Sequence, residues 1–406
     1  MLLLKLAFRN ILRQRRRTIL TVLSMTGGYI LCCLSFSLTE GSYKNVIRIF
    51  TMDHTGHIQI HRDDYLQRPK VFKGIDDTPQ QRQEILSQPG VHSIAPRVFA
   101  PALAYAGTRN TPVQIVGIEP QLEKTTSRLF DKVNQGQYFD VNLNADGYYS
   151  AMLGMGVAES LQIKIGDELI LISQGADGSI ANDIYIVTAL VGTRNSWDRN
   201  KVYLPLSVAQ EFLSFYGKVH QYSLLLADES AVDSTTQSLT TALPTLTINP
   251  WMQVEATFYN SMEADKRGNR FTLLIIVFIV FIGVLNTVLM SVLERTREFG
   301  VLKAIGSRPG TIAGLILIET MMLAVMSLLV GVVIAAPIIA WFALRGIALP
   351  DPIDMGGIEF GFMTGEFSVG VFAWPMLLIM AFAIAVSIPP GIRAARVSPT
   401  RAMGSF

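Results

Sequence analysis

Apolar residues fall unevenly along this chain. Residues 19–38, 271–293, 312–342 and 369–388 form four long apolar runs, each about as long as the roughly 20 residues a helix needs to cross a bilayer. The third is longer than one crossing requires, which predicts tilt or extension beyond the lipid. It contains Pro337, a residue able to kink it, and Pro375 stands near the start of the fourth. Residues 39–270 show another pattern. Stretches at 56–61, 112–118, 167–173, 184–192 and 222–227 read as strands. Residues 78–90 predict a helix with Thr78 as N-cap, Pro79 at its first position and Gly90 past its end. Residues 231–243 predict another, stopped by Pro244. Residues 253–270 predict a stalk helix that feeds into the second apolar run and connects the soluble segment mechanically to the membrane.

The expected fold class is therefore membrane α-helical with four transmembrane helices, plus a mixed α/β extracytoplasmic (periplasmic) domain inserted between helices 1 and 2. That domain is large enough for its own core. The expected divisions are 1–18, an N-terminal helix; 39–270, the soluble domain with its stalk; 294–311, a cytoplasmic connection; 343–368, a short outer loop; and 389–406, a cytoplasmic tail.

Composition agrees with a membrane protein. The chain of 406 residues is 50% hydrophobic and 16% charged, against about 25% charged in soluble chains, and its mean hydropathy is +0.36. The net charge of +2 says little about partners and gives no reason to expect nucleic acid. The placement of the charges says more. Lys5, Arg9, Arg13, Arg15, Arg16 and Arg17 precede the first run; Arg295, Arg297, Lys303 and Arg308 lie between the second and third; Arg393, Arg396 and Arg401 follow the fourth. The connection between runs three and four has only Arg345, against Asp351, Asp354, Glu359 and Glu366. Positive flanks stay inside, so both termini are expected in the cytoplasm and the soluble domain outside. The first run is long for a signal peptide and no A-x-A site follows it, so an uncleaved span is expected. Leu4, Phe8, Ile11 and Leu12 share a helical spacing, with Lys5, Arg9 and Arg13 on another face. This predicts a helix lying on the inner membrane surface, its cations toward anionic lipid, or simply a positive flank that sets topology.

Candidate chemistry is sparse. Cys32 and Cys33 lie within the first run, so the soluble domain has no disulfide framework. His54, His57 and His61 cluster, yet His57, Gln59 and His61 fall on one polar face of a strand, and no metal site is expected from them. No Walker A loop, G-x-S-x-G elbow or H-E-x-x-H motif occurs, so an enzyme is not expected. Asn286, Thr287 and Glu319 lie inside apolar runs. An intramembrane carboxylate is a functional candidate by default; Glu319 is read either as a relay group or as a buried hydrogen bond between helices. Gly27, Gly28 and Gly331 are read as points of close helix approach or bending.

The connection between runs two and three, "ERTREFGVLKAIGSR", carries apolar residues among its charges. Together with the flanking "NTVLMSVL" and the following "LIETMMLAVMSLLVG", it resembles the signature of MacB/FtsX-type ABC transporter permeases, at Glu294, Arg295, Glu298, Gly300, Lys303, Ala304, Gly306 and Glu319. The closing "PPGIRAARVSPTRAM" and the soluble-domain stretch "LGMGVAESLQIKIGDEL" also resemble that family. The resemblance implies two permease protomers, as homodimer or heterodimer, driven by two cytoplasmic ABC ATPase subunits. The connection would be the coupling helix, with Val301, Leu302 and Ile305 against the ATPase and Glu294, Arg295, Glu298 and Lys303 fixing orientation at the rim. This chain would bind no cofactor of its own; ATP and Mg would belong to the partner. MacB carries its ATPase fused at the N-terminus, whereas only eighteen residues precede the first run here. The layout is thus similar to the lipoprotein-releasing LolC/LolE-type permeases of the bacterial inner membrane. The implied function is release of lipoprotein or lipid-linked cargo, with a periplasmic acceptor or adaptor protein as a further partner. Efflux of a peptide, toxin or drug, and regulation of cell-wall hydrolases without transport, remain alternatives.

Overall fold

The apolar runs fold as helices longer than themselves. The computed structural model describes residues 2–13, 15–139, 141–144, 147–354 and 359–396, and it divides into two units. The side chains of Asp351, Asp354 and Glu359, and all of residues 397–406 with Arg401, lie outside the described part.

The first unit comprises residues 1–45, 262–349 and 362–406. Four of its helices are long and apolar enough to cross a membrane, which makes this a multi-pass membrane protein. The first extends from Arg15 through Phe50 and the second from Ala256 to Glu294; the third spans Pro309–Arg345 and the fourth Val369–Ala395. Residues 253–270, expected as one stalk helix, are divided between two helices. A short helix Trp251–Val254 ends at Glu255, whose non-helical backbone separates it from the long helix. The fourth helix continues through Pro389 and Pro390, so the expected tail begins as helix. The N-terminal helix is shorter than 1–18, ending at Arg13.

Helix contacts in this unit follow small residues. A Cβ on Gly28 would lie 2.6 Å from Val280, and one on Gly331 would lie 2.5 Å from Tyr29, whereas nothing approaches Gly27. Met25, Tyr29 and Cys33 meet Val284, Ile316, Leu328 and Ile379 in one core, while Leu23, Leu31, Phe278, Ile279, Val333 and Leu377 remain on the outside, where lipid accepts them. Both cysteines are free and buried. The connection expected as a loop at 343–368 is instead a hairpin of strands Ile347–Asp354 and Glu359–Met363. Its exit is fastened to the first helix: Ser37 Oγ donates to the Glu366 carbonyl at 2.9 Å, and Lys44 pairs with the Glu366 carboxylate at 3.1 Å.

The second unit, residues 46–261 with 350–361, is built on a ten-stranded mixed sheet. Its path begins with Thr247–Pro250, Ile58–His61, Gln221–Leu226, Val91–Ala106, Arg109–Ile118 and Lys201–Pro205, then continues through Tyr149–Gly154, Ile180–Val191 and Val133–Gly136. Glu168–Gln174 pairs with both Val91–Ala106 and Ile180–Val191, closing part of the sheet on itself. All five expected strands are present within a few residues. The sixteen-residue strand Val91–Ala106 was not legible because Pro96 and Pro101 interrupt its pattern; proline normally argues against a central strand. The expected helix at 78–90 is confined to Pro79–Leu86, with Thr78 Oγ1 accepting from Gln81 N–H at 3.2 Å. The helix expected at 231–243 is Val232–Ala242. Ile58, Ile94, Val98, Ile115, Leu171 and Leu224 anchor the core.

Candidate functional site

The charged connection folds as a nine-residue helix, Thr296–Ala304. Its apolar residues divide between two directions. Phe299 is 1% exposed and joins the membrane-unit core, with Gly300 buried beside it. Val301 is 43% and Ile305 78% exposed, and Leu302 packs partly against the core. Ala304 and Gly306 are exposed, and Lys303 is half-buried. Gly306 ends the helix at φ +98°, a conformation suited to glycine, and its N–H bonds to the Lys303 carbonyl at 3.0 Å.

Arg295 is not at the rim. It is 7% exposed, and its Nη1 reaches Glu319 Oε2 at 2.9 Å and Oε1 at 3.3 Å, while Nε donates to Glu298 Oε2 at 2.9 Å. The Glu319 carboxylate on the third long helix is therefore paired with a cation from the connection. Glu298 also meets Arg13 at 3.2 Å, and Arg17 approaches Glu294 at 4.0 Å. Five segments thus meet in these charge pairs: the N-terminal helix, the first long helix, the end of the second at Glu294, the connection and the third long helix. Sequence reasoning singled out Arg295 and Glu319 separately. No local pattern joins residues 24 positions apart that meet only through the fold.

The remaining expected polar residues lie elsewhere. Asn286 is exposed, and Thr287 is half-buried with its hydroxyl donating to the Gly283 carbonyl at 2.8 Å. Lys5, Arg9 and Arg13 are exposed on the N-terminal helix, which packs against the third long helix. Among its described side chains only Ala7 and Ile11 are buried; Leu4, Phe8 and Leu12 stay more than half exposed. The apolar stripe is therefore split between protein and surroundings.

Near the far ends of the first, second and fourth long helices lies a groove of about 490 Å³. Phe36, Leu273, Trp374 and Leu378 line it, and Glu40 and Arg270 supply its charges.

In the soluble domain the three histidines have separate partners. His57 Nδ1 accepts from the Leu226 N–H at 2.9 Å, His61 Nε2 meets Gln221 Oε1 at 3.3 Å, and His54 Nε2 meets Glu255 at 3.3 Å. The polar face of strand Ile58–His61 is buried, not solvated. Around it lie charges the sequence did not single out. Arg97 donates to Glu123 at 2.6 and 3.1 Å. Asp198 accepts from Lys132 at 3.0 Å and from the Tyr203 hydroxyl. Burial opposes ionisation of Asp198, yet Lys201 and Lys132 outweigh it and hold the carboxyl below the usual range.

Two families match the chain: the MacB-like periplasmic core domain over residues 18–242 and the FtsX-like permease C-terminal over residues 270–399. The chain is similar to the lipoprotein-releasing system transmembrane protein LolE of Haemophilus influenzae, at 21% identity over 80% of this chain and 80% of that protein. It is similar to LolC of Neisseria meningitidis serogroup B, at 20% identity over 81% and 83%. Against the macrolide export ATP-binding/permease protein MacB of Nitrobacter winogradskyi it is 26% identical over 80% of this chain, but spans only 49% of that relative. With one family covering most of the soluble segment and the other the membrane helices that follow it, the chain belongs to the MacB/FtsX-type ABC transporter permeases.

Proposed function

We propose that this permease is driven by two separate cytoplasmic ATPase subunits, works with a second permease protomer, and releases lipoprotein or other lipid-linked cargo from the bacterial inner membrane. The observation that carries the coupling role is the two-sided character of helix Thr296–Ala304. One side is locked inward by Phe299 and the Arg295–Glu319 pair; the other presents Val301 and Ile305. Those two residues are the ATPase contact, with Glu294, Lys303 and Ala304 beside them. ATP-driven closure displaces the helix as a rigid body. Arg295 passes that displacement to the third helix through Glu319, and Glu298 passes it to the N-terminal helix through Arg13. The basic flanks support a reading with the termini and this helix in the cytoplasm and the soluble domain in the periplasm. The groove near Trp374 supports lipid-linked cargo: its apolar walls accept an acyl chain, and Arg270 and Glu40 stand where a polar headgroup emerges.

The test is purification of the full chain from its native membrane, with mass spectrometry of proteins and lipids. An ABC ATPase and an acylated polypeptide are expected together. Val301→Asp combined with Ile305→Asp is expected to lose the ATPase while the permease stays in the membrane. Normal ATPase recovery in that variant, or ATP hydrolysis by the chain alone, overturns the coupling role. A peptide or drug recovered without acyl chains replaces the lipid-linked cargo with efflux.

A further inference from the structure

The soluble domain holds a cavity of about 260 Å³ against one face of its sheet. Five strands adjacent in the sheet, from Ile58–His61 across to Lys201–Pro205, contribute to its wall. Polar and charged side chains share the wall with Leu66, Phe99, Val116 and Leu129, and most of the charges are matched within the domain. Arg97 uses Nε and Nη2 on Glu123, and Nη1 on the His54 carbonyl at 3.0 Å.

Three charges are matched incompletely. Asp53 Oδ1 is buried without a hydrogen-bond partner among the described residues, although Lys132 and Arg128 approach the carboxylate at 3.4 and 3.6 Å. The Lys201 ammonium, its side chain 15% exposed, reaches only Asp198 among the described residues, at 3.4 Å. That carboxylate is already engaged by Lys132 and Tyr203, whereas an ammonium carries three donors. Burial accordingly pushes Lys201 below the usual lysine range despite Asp198. The Glu255 carboxylate meets the His54 ring at 3.3 Å. Among the described residues no Lys or Arg pairs with it. On the same wall the Gln114 side chain is exposed and has no hydrogen-bond partner among the described residues.

A simple anion would satisfy Lys201 and leave Glu255 with the His54 ring alone; a simple cation would leave Lys201 with Asp198 alone. A small molecule bearing both charges satisfies both, which matters because partly matched buried charge is costly. The volume also falls below the roughly 300–1,000 Å³ of drug-sized pockets, which suits a small ligand. We propose that this cavity binds a free α-amino acid, its carboxylate held by Lys201 and Gln114 and its ammonium by Glu255. This site stands apart from the groove assigned to cargo and does not depend on that assignment.

Calorimetric titration of the full chain in detergent tests it, with glycine, L-alanine and L-glutamine as probes and acetate and methylammonium as half-probes. At least one amino acid is expected to bind saturably, about tenfold or more tighter than either half-probe. Glu255→Gln is expected to weaken that binding by about tenfold without moving the thermal unfolding midpoint. Gln114→Ala, at an exposed position, is expected to weaken it severalfold and serves as the deciding variant if Glu255→Gln misfolds. Absence of saturable binding by all three amino acids overturns the proposal. So does acetate binding as tightly as the amino acids, or unchanged affinity in a folded Glu255→Gln protein.

Discussion

Arg97 in the soluble domain and Arg295 in the membrane unit each face a buried glutamate, at 2.6 Å to Glu123 and 2.9 Å to Glu319. Their surroundings differ. Arg97 lies on a strand hydrogen-bonded along both edges, and Glu123 is 2% exposed on a short helix packed against that strand. Every partner of Arg97 belongs to one frame. Arg295 precedes a nine-residue helix and ties it to a long one, while its other partner, Glu298, has a side chain 43% exposed and shared with Arg13. Desolvation makes any such pair expensive, so its value lies in the geometry it specifies. In the first case that geometry is a fixed wall. In the second it is a joint between two helices, with one of its charges still reachable by solvent.

The sharpest way to break this comparison is to remove the wall's cation. Arg97→Met leaves Glu123 buried without its charge partner, and such losses cost about 3–5 kcal/mol. The soluble domain is expected to lose that much in denaturant unfolding. Arg97→Met with Glu123→Leu is expected to recover part of it, because the two positions are directly coupled. Equal stability of the single variant and the native protein would mean that the pair is no structural wall.

Acid addresses the same domain without mutation. His220 is fully buried, its Nδ1 accepting from the Phe99 N–H at 2.9 Å and its Nε2–H donating to the Val71 carbonyl at 2.8 Å. Burial pushes its pKa down to about 4. An unfolded histidine titrates near 6.5, so between these values the unfolded chain binds the proton and the folded one does not. Stability from this group is complete above about pH 6.5 and is lost as pH falls toward about 4, on the order of 3 kcal/mol in all. Unfolding followed from pH 7 to pH 4 is expected to show this slope, and His220→Gln is expected to flatten it.

These differences explain what could be read from the sequence. The membrane helices are legible because a crossing requires a run of apolar residues whatever the fold does elsewhere. The five anticipated strands are legible through alternating or β-branched residues, as in Ile184, Tyr185, Ile186 and Val187. His57, Gln59 and His61 read only as one polar face of a strand; the burial of that face depends on strands from distant parts of the chain. Arg295 reads as one more charge in a charged segment, since its burial depends on Glu319 arriving from the next helix. Local pattern identifies elements, but it does not disclose which polar residues the assembled elements enclose.

The joint should respond less steeply than the wall, and unequally on its two sides. Arg295→Met removes charge-assisted hydrogen bonds to two carboxylates, one of them buried; losing bonds of that kind costs about 1.5–3 kcal/mol. Arg13→Ala removes a pair whose side chains are 75% and 43% exposed, and exposed pairs contribute about 0–1 kcal/mol. If the buried arm transmits the ATPase stroke, Arg295→Met should uncouple ATP hydrolysis in the purified complex from cargo release, while Arg13→Ala leaves the two nearly matched. Salt should further separate the arms, because solvent screens the Arg13–Glu298 pair far more than Arg295–Glu319. Equal uncoupling by both variants would move the joint from the buried pair to the exposed one, and Glu298, common to both, would then be its pivot.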